Sequence, residues 1–111
     1  MLVLLDENLP HGLRLLITGH DVRTVAYQGW ASLTNGALLA AAEEAGFEVF
    51  LTADQNLPDQ QSMKGRDLAV VVLSTSELSV LARRIEDVIE AMNVCRRGAF
   101  SYVAFGVAPR F

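Results

Sequence analysis

Leu2-Val3-Leu4-Leu5-Asp6-Glu7-Asn8-Leu9-Pro10 begins as an apolar run and stops on an acid. A short continuous apolar run reads as a strand covered on both faces, the pattern of a parallel sheet. The pattern recurs at Val49-Phe50-Leu51-Thr52-Ala53, which stops on Asp54. In an open α/β sheet, ligands bind in the crevice beyond the carboxyl ends of the strands. Two carboxylates meeting there repel each other unless a cation or a shared proton neutralises them. A divalent ion held by oxygen ligands resolves that repulsion and directs attention to metal-assisted phosphoryl chemistry. The aspartates share one crevice only if their strands are close neighbours.

Working outward, strand and helix signals alternate along the chain. After Leu2 to Leu5, Pro10 is pre-set for a first helical turn, Asn8 or Leu9 occupies the cap position, and Leu13, Leu16 and Ile17 recur at helical spacing up to Gly19. Asp21 to Val25 alternates as a second strand, and Tyr27 to Leu33 is a loop carrying Gly29 and Trp30. Ser32 or Thr34 caps a helix from Asn35 to Ala45, which Gly46 stops. Phe47 to Ala53 is a third strand, Asp54 to Asp67 reads as a polar mobile loop, and Leu68 to Leu73 is a further buried strand. Ser74 and Glu77 have capping-box spacing ahead of a helix whose apolar face is Leu78, Leu81, Ile85, Val88, Ile89 and Met92. Gly98 closes a turn into a final strand, Ser101 to Val107, placed at a sheet edge. This order predicts one α/β domain over residues 1–111. Its expected form is three layers, with a mostly parallel sheet of about five strands flanked by helices.

Composition bounds the function classes. The chain has 111 residues, 51% of them hydrophobic and 20% charged, enough for a core without staples. No apolar run is long enough to span a bilayer, and the opening strand has no basic region before it, so no membrane span or secretory leader is expected. The lone Cys95 cannot form an internal disulfide, which fits a reducing cytoplasm. A formal net charge of −4 and scattered arginines argue against strong non-specific affinity for nucleic acid. There is no G-x-G-x-x-G, P-loop or G-x-S-x-G, so nucleotide-cofactor and serine-hydrolase readings have no support.

Leu4 to Pro10 (L-L-D-E-N-L-P), Gly19 to Val22 (G-H-D-V) and Leu51 to Leu57 (L-T-A-D-Q-N-L) together resemble the short PIN-like family, relatives of the ribonuclease toxins of bacterial toxin–antitoxin pairs. The resemblance implies a compact parallel α/β domain whose clustered acids hold Mg²⁺ or Mn²⁺ to hydrolyse RNA, with a cognate antitoxin protein as partner. It assigns Asp6, Asp54 and Glu7 as catalytic acids, with Glu7 secondary, and Asp6, Asp54 and Asn56 as metal ligands. Asn8 becomes a loop or helix-start residue on the substrate side. Two positions depart from the pattern: Asn35 lies where the second helix of relatives begins with an acid, and Asn56 replaces the second acid of the T-x-D-x-D block. An amide brings an oxygen but no charge, so Asn35 and Asn56 are expected to weaken binding of a hard cation.

Beyond these, Lys64 and Arg66 follow Asp54 in sequence and reach a phosphate backbone if their loop folds over the crevice. Arg96 and Arg97 complement the negative end of the last helix. His11 is a candidate to face substrate, and Tyr27 and Trp30 are candidates to stack on a base or to pack at a contact, whereas His20 and Cys95 lack activating partners. The competing reading is a catalytically degenerate domain that binds a partner or a second copy through Tyr27, Trp30, Phe111 and the Phe100 to Phe111 segment. A flavodoxin-like receiver with a phospho-accepting aspartate also clusters acids at strand ends, but needs a lysine at the end of its last strand that this chain lacks.

Overall fold

Three strands of near-unbroken aliphatic sequence set the architecture. A computed structural model, which describes residues 1–105, places β1 (Leu2–Leu5), β3 (Val49–Thr52) and β4 (Ala69–Leu73) side by side at the centre of a sheet ordered β2-β1-β3-β4-β5. The edge strands are β2 (Asp21–Thr24) and β5 (Phe100–Val103), and every pairing is parallel. The edges are also the strands with solvent-exposed residues, as expected for positions covered on fewer sides. The final strand therefore lies at an edge, as its sequence implies, though it starts one residue earlier at Phe100 and ends at Val103, because the Phe105 N–H leaves the ladder for the Ser74 hydroxyl; of the expected continuation to Val107, residues 106 and 107 lie outside the described residues.

Alternation splits the core into two layers. Val3, Leu5, Val49, Leu51, Val71 and Leu73 face α1 (Leu13–Leu16), α4 (Leu78–Arg83) and α5 (Ile85–Val94), contacting Leu13, Leu81, Val88 and Met92. Leu4, Phe50, Val70 and Val72 face the other way, onto Leu38, Leu39 and Ala42 of α2 (Asn35–Glu44) and Leu57 of α3 (Leu57–Gln60). Helices thus cover both faces of an all-parallel five-stranded sheet.

Several elements differ from their sequence reading. Asn8 does not cap α1, which begins after Gly12 without a side-chain cap, because the Asn8 amide is engaged on β3. The stretch from Asp54 to Asp67 is not simply a loop: it contains α3, and it buries Leu57 and Met63 beneath the sheet. The single long helix is two, since Arg84 leaves helical geometry at φ −114°, ψ 25° between α4 and α5. No capping box forms, because the Ser74 hydroxyl accepts from the Phe105 amide instead (2.8 Å). Leu78 is half-exposed, although one of its methyl groups lies 3.0 Å from where a Cβ on Gly12 would stand.

Thr34 is the cap of α2, with its Oγ1 accepting from the Ala37 amide. At the other end Gly46 has φ +86°, its N–H donates to the Glu43 carbonyl and the Phe47 N–H to the Ala42 carbonyl. That pair of bonds is a Schellman closure, and it delivers Phe47 into the core against Trp30, edge to face at 5.8 Å. Gly46→Ala places a side chain in the left-handed region and is expected to cost about 1–2 kcal/mol. Urea unfolding should show a lower midpoint with an unchanged slope, since the core itself is untouched.

Candidate carboxylate site

The strand order reverses between β1 and β3, because β2 lies on one side of β1 while β3 to β5 run off the other. In doubly wound sheets that reversal opens a crevice at the carboxyl edge. Asp6 and Asp54 follow the two strands that flank it. The pairing Leu5 with Leu51 continues one step, the Asp6 N–H donating to the Leu51 carbonyl (2.9 Å) and Asp6 lying opposite Thr52.

Thr52 is the junction. It is the single fully buried polar residue of the described core, and its Oγ1 donates to Asp6 Oδ2 (2.7 Å). The same oxygen accepts from the Asp54 N–H (3.0 Å) and from Asn8 Nδ2 (3.2 Å). Asn8 Oδ1 in turn accepts from the Ala53 N–H (3.0 Å). One hydroxyl therefore ties together the loops after β1 and β3, and Asn8 clamps them a second time. Asp54 Oδ1 accepts from the Asn56 N–H (2.9 Å), which turns the chain into α3. Asp6 Oδ1 accepts from the Glu7 N–H (2.8 Å).

These surroundings perturb the Asp6 carboxyl. Burial pushes the Asp6 carboxyl above the ordinary aspartate range, the Thr52 hydroxyl and Glu7 N–H pull it back, and the Asp54 charge raises it again. The donor chemistry suits a hard cation: Asp6 and Asp54 offer carboxylate oxygens at the ends of neighbouring strands, and Asn56, whose backbone N–H donates to Asp54 Oδ1, is the next oxygen-bearing side chain but one along the chain. Mg²⁺ is commonly held by one or two carboxylates, its remaining positions filled by waters and substrate phosphates. No group of three or more His, Cys, Asp or Glu side chains converges among the described residues. The site's charge therefore rests on the aspartate pair.

No protein-family model, no curated protein and no solved structure matches the chain. The site must be judged on its own geometry.

The other sequence candidates divide. Glu7 is exposed beside Asp6, joined to it through its own N–H. Asn8 is a cross-strand clamp, both ends of its amide being occupied by β3 and the residue after it. Asn35 begins α2, whose N-terminus faces the carboxyl end of the sheet because the helix runs back to the start of β3. Lys64 and Arg66 are not brought to the carboxylates: α3 carries the chain back to the amino end of β4, where Arg66 pairs with Glu43 (3.7 Å) at the end of α2. Arg97 likewise does not serve the helix end alone, but pairs with Asp67 (2.6 Å) and Glu48 (3.5 Å) at that same amino end. Trp30 packs into the core, Tyr27 projects with 79% of its surface exposed, and Phe111 lies outside the described residues.

Thr52 and Gln55 were missed by sequence reasoning. Gln55 Nε2 donates to the Leu73 carbonyl (2.6 Å) and the Ala53 carbonyl (3.0 Å), linking the crevice rim to β4. The signal for Thr52 was present: a lone hydroxyl in an otherwise aliphatic strand, next to the acid-bearing turn.

Thr52→Val keeps the shape and deletes the hydroxyl, leaving Asp6 Oδ2 and the Asp54 N–H without their shared partner. The expected loss is about 2–3 kcal/mol, read by urea or thermal unfolding. Because the folded state binds a proton at Asp6 more tightly than the unfolded chain does, this group's stabilisation is complete in acid. It is lost as pH rises through the raised pKa. The melting temperature of the wild type, measured relative to Asp6→Asn, should therefore fall as pH is raised from about 3 toward neutrality and then level off.

Proposed function

We propose that this protein is a metal-dependent ribonuclease that hydrolyses RNA phosphodiesters with Mg²⁺ or Mn²⁺, of the kind that serves as the toxin in a toxin–antitoxin pair. One observation carries the reading: at the strand-order reversal a single buried hydroxyl, that of Thr52, bonds both the Asp6 carboxylate and the Asp54 N–H, and burial there raises the Asp6 pKa. Groups maintained in an unfavourable electrostatic arrangement mark functional sites more often than structural ones.

In this reading Asp6 and Asp54 hold the cation and Asn56 contributes a neutral oxygen. Once bound, the ion neutralises phosphodiester charge and lowers the pKa of an attacking water. The chain's own contribution is positional. Thr52 and Asn8 fix the two aspartate-bearing turns against each other, which sets the backbone positions from which both carboxylates would reach one cation. Glu7, exposed next to Asp6, would accept a proton from water in this reading. Asn35 and Asn56, where acids would strengthen the site, make metal affinity weak and dependent on substrate phosphate to complete the coordination.

A cytoplasmic setting accords with the single cysteine, and no described helix is long and apolar enough to cross a membrane. A cognate antitoxin protein and a homodimer belong to the same proposal, with β5, an edge strand among the described residues, as the strand to pair.

The paucity of acids favours a second reading, a degenerate domain that retains only a protein-binding role. A receiver shares the β2-β1-β3-β4-β5 order, but the chain's one lysine, Lys64, lies at the amino end of the sheet, away from both aspartates.

Purified protein should cleave single-stranded RNA with Mn²⁺ or Mg²⁺ and lose that activity in EDTA. Asp54→Asn should reduce cleavage at least about a hundredfold, the scale on which removal of a key electrostatic group acts. Metal-independent cleavage, or full activity in Asp54→Asn, would remove the proposal in favour of the interaction reading.

A further inference from the structure

A groove of about 620 Å³ runs along the outer side of β2, walled by α1 and floored by the strand itself. Its volume is that of a small-ligand cleft, and its lining is polar and aromatic. It does not contain the carboxylates. It does reach the same end of the sheet, because Thr24 pairs with Leu5, the residue before Asp6.

The charges in the groove are unequal in availability. Arg23 is committed to Asp21 through two hydrogen bonds, Nε to Oδ1 at 3.3 Å and Nη2 to Oδ2 at 2.9 Å, so the pair is close to neutral. Arg14, exposed on α1, has no ion-pair partner among the described residues, and His11 sits exposed beside it. Tyr27 closes the carboxyl end with 79% of its surface in solvent, while its N–H is anchored to Thr24 Oγ1 (3.0 Å). An exposed ring on an anchored backbone is a stacking platform, with little ordering left to be done on binding.

Backbone groups complete the set. The Asp21 and Val25 N–H groups donate to the Met1 and Leu5 carbonyls of the β1 side, so by the two-residue period those of Val22 and Thr24 face the groove. Val22 thus presents a free donor and acceptor at the sheet edge.

An unpaired guanidinium, an exposed ring and edge-on amide groups match a ligand with an anionic group, a planar face and hydrogen-bonding edges. We infer that the β2 groove binds a nucleotide unit of single-stranded RNA, its phosphate at Arg14 and its base on Tyr27. The inference rests on the ribonuclease reading for its choice of polymer. It adds a place for the strand beside the carboxylate crevice, and it explains how a chain of net charge −4 holds RNA: by stacking and one free arginine, with no broad basic face.

The test is fluorescence anisotropy of a short fluorescein-labelled oligouridylate in low salt with EDTA, so that binding is read without cleavage. Arg14→Gln and Tyr27→Ala should each weaken binding about tenfold, Tyr27→Phe should retain it, and Arg96→Gln, a distant exposed arginine, should leave it unchanged. Arg14 and Tyr27 are exposed, so these variants are expected to fold, which circular dichroism checks. Absence of binding by the wild type, binding indifferent to Arg14 and Tyr27, or equal losses at Arg14 and Arg96 would overturn the assignment; the first outcome would leave the β2 edge to a protein strand. Manganese-dependent cleavage by the same variants separates the two proposals. Groove-dependent binding without cleavage upholds the groove and removes the nuclease, whereas cleavage with no dependence on Arg14 or Tyr27 does the reverse.

Discussion

The two aspartate-bearing turns after β1 and β3 are tied together at one point, the buried hydroxyl of Thr52. It donates to Asp6 and accepts from the backbone of Asp54, so each aspartate-bearing turn is positioned through the other. That arrangement presupposes the direct parallel pairing of β1 with β3, and the pairing presupposes aliphatic side chains on both faces of each strand. The core therefore does more than stabilise the fold. It sets a register in which Asp6 lies opposite Thr52, and a shift of one residue would send that hydroxyl to the opposite face.

The two ends of the sheet are organised differently. At the amino end, Arg97 bridges Asp67 and Glu48, Arg66 meets Glu43, and the Asp67 N–H donates to the Glu43 carboxylate. These pairs lie at the surface and are screened by water, so their role is to fix chain paths more than to add stability. Gly98 fits between them, with the Arg66 and Met63 carbonyls 3.4 Å from where a Cβ would stand. At the carboxyl end Asp6 and Asp54 have no ion-pair partner among the described residues. Arg66 and Arg97, which follow Asp54 in sequence, are spent on ion pairs at the opposite end.

Much of the fold was legible because the strands are so uniformly apolar. Leu2 to Leu5 and Ala69 to Leu73 admit little besides a doubly covered strand, and the helix at Asn35 announces both its cap and its Gly46 stop. The convergence of Asp6 and Asp54 was legible only as a condition, since adjacency of β1 and β3 depends on strand order, which local pattern does not encode. Asn8 reads as a cap by its residue type, yet cross-strand partners at Thr52 and Ala53 win it. Leu57 and Met63 were hidden among polar neighbours, so the segment looks solvated although those two side chains anchor it. Lys64 and Arg66 show the same limit at the site: ten and twelve residues past Asp54 in sequence, they lie across the length of the sheet from it because α3 reverses the chain.

The most direct test of the account is calorimetric titration of the wild type, Asp54→Asn and Thr52→Val with Mn²⁺ at neutral pH. Saturable binding by the wild type is expected, absent in Asp54→Asn and weakened in the folded fraction of Thr52→Val, because the hydroxyl holds the two donors together. No binding up to millimolar metal, or equal binding by all three proteins, would contradict the claim that Asp6, Thr52 and Asp54 form a cation site.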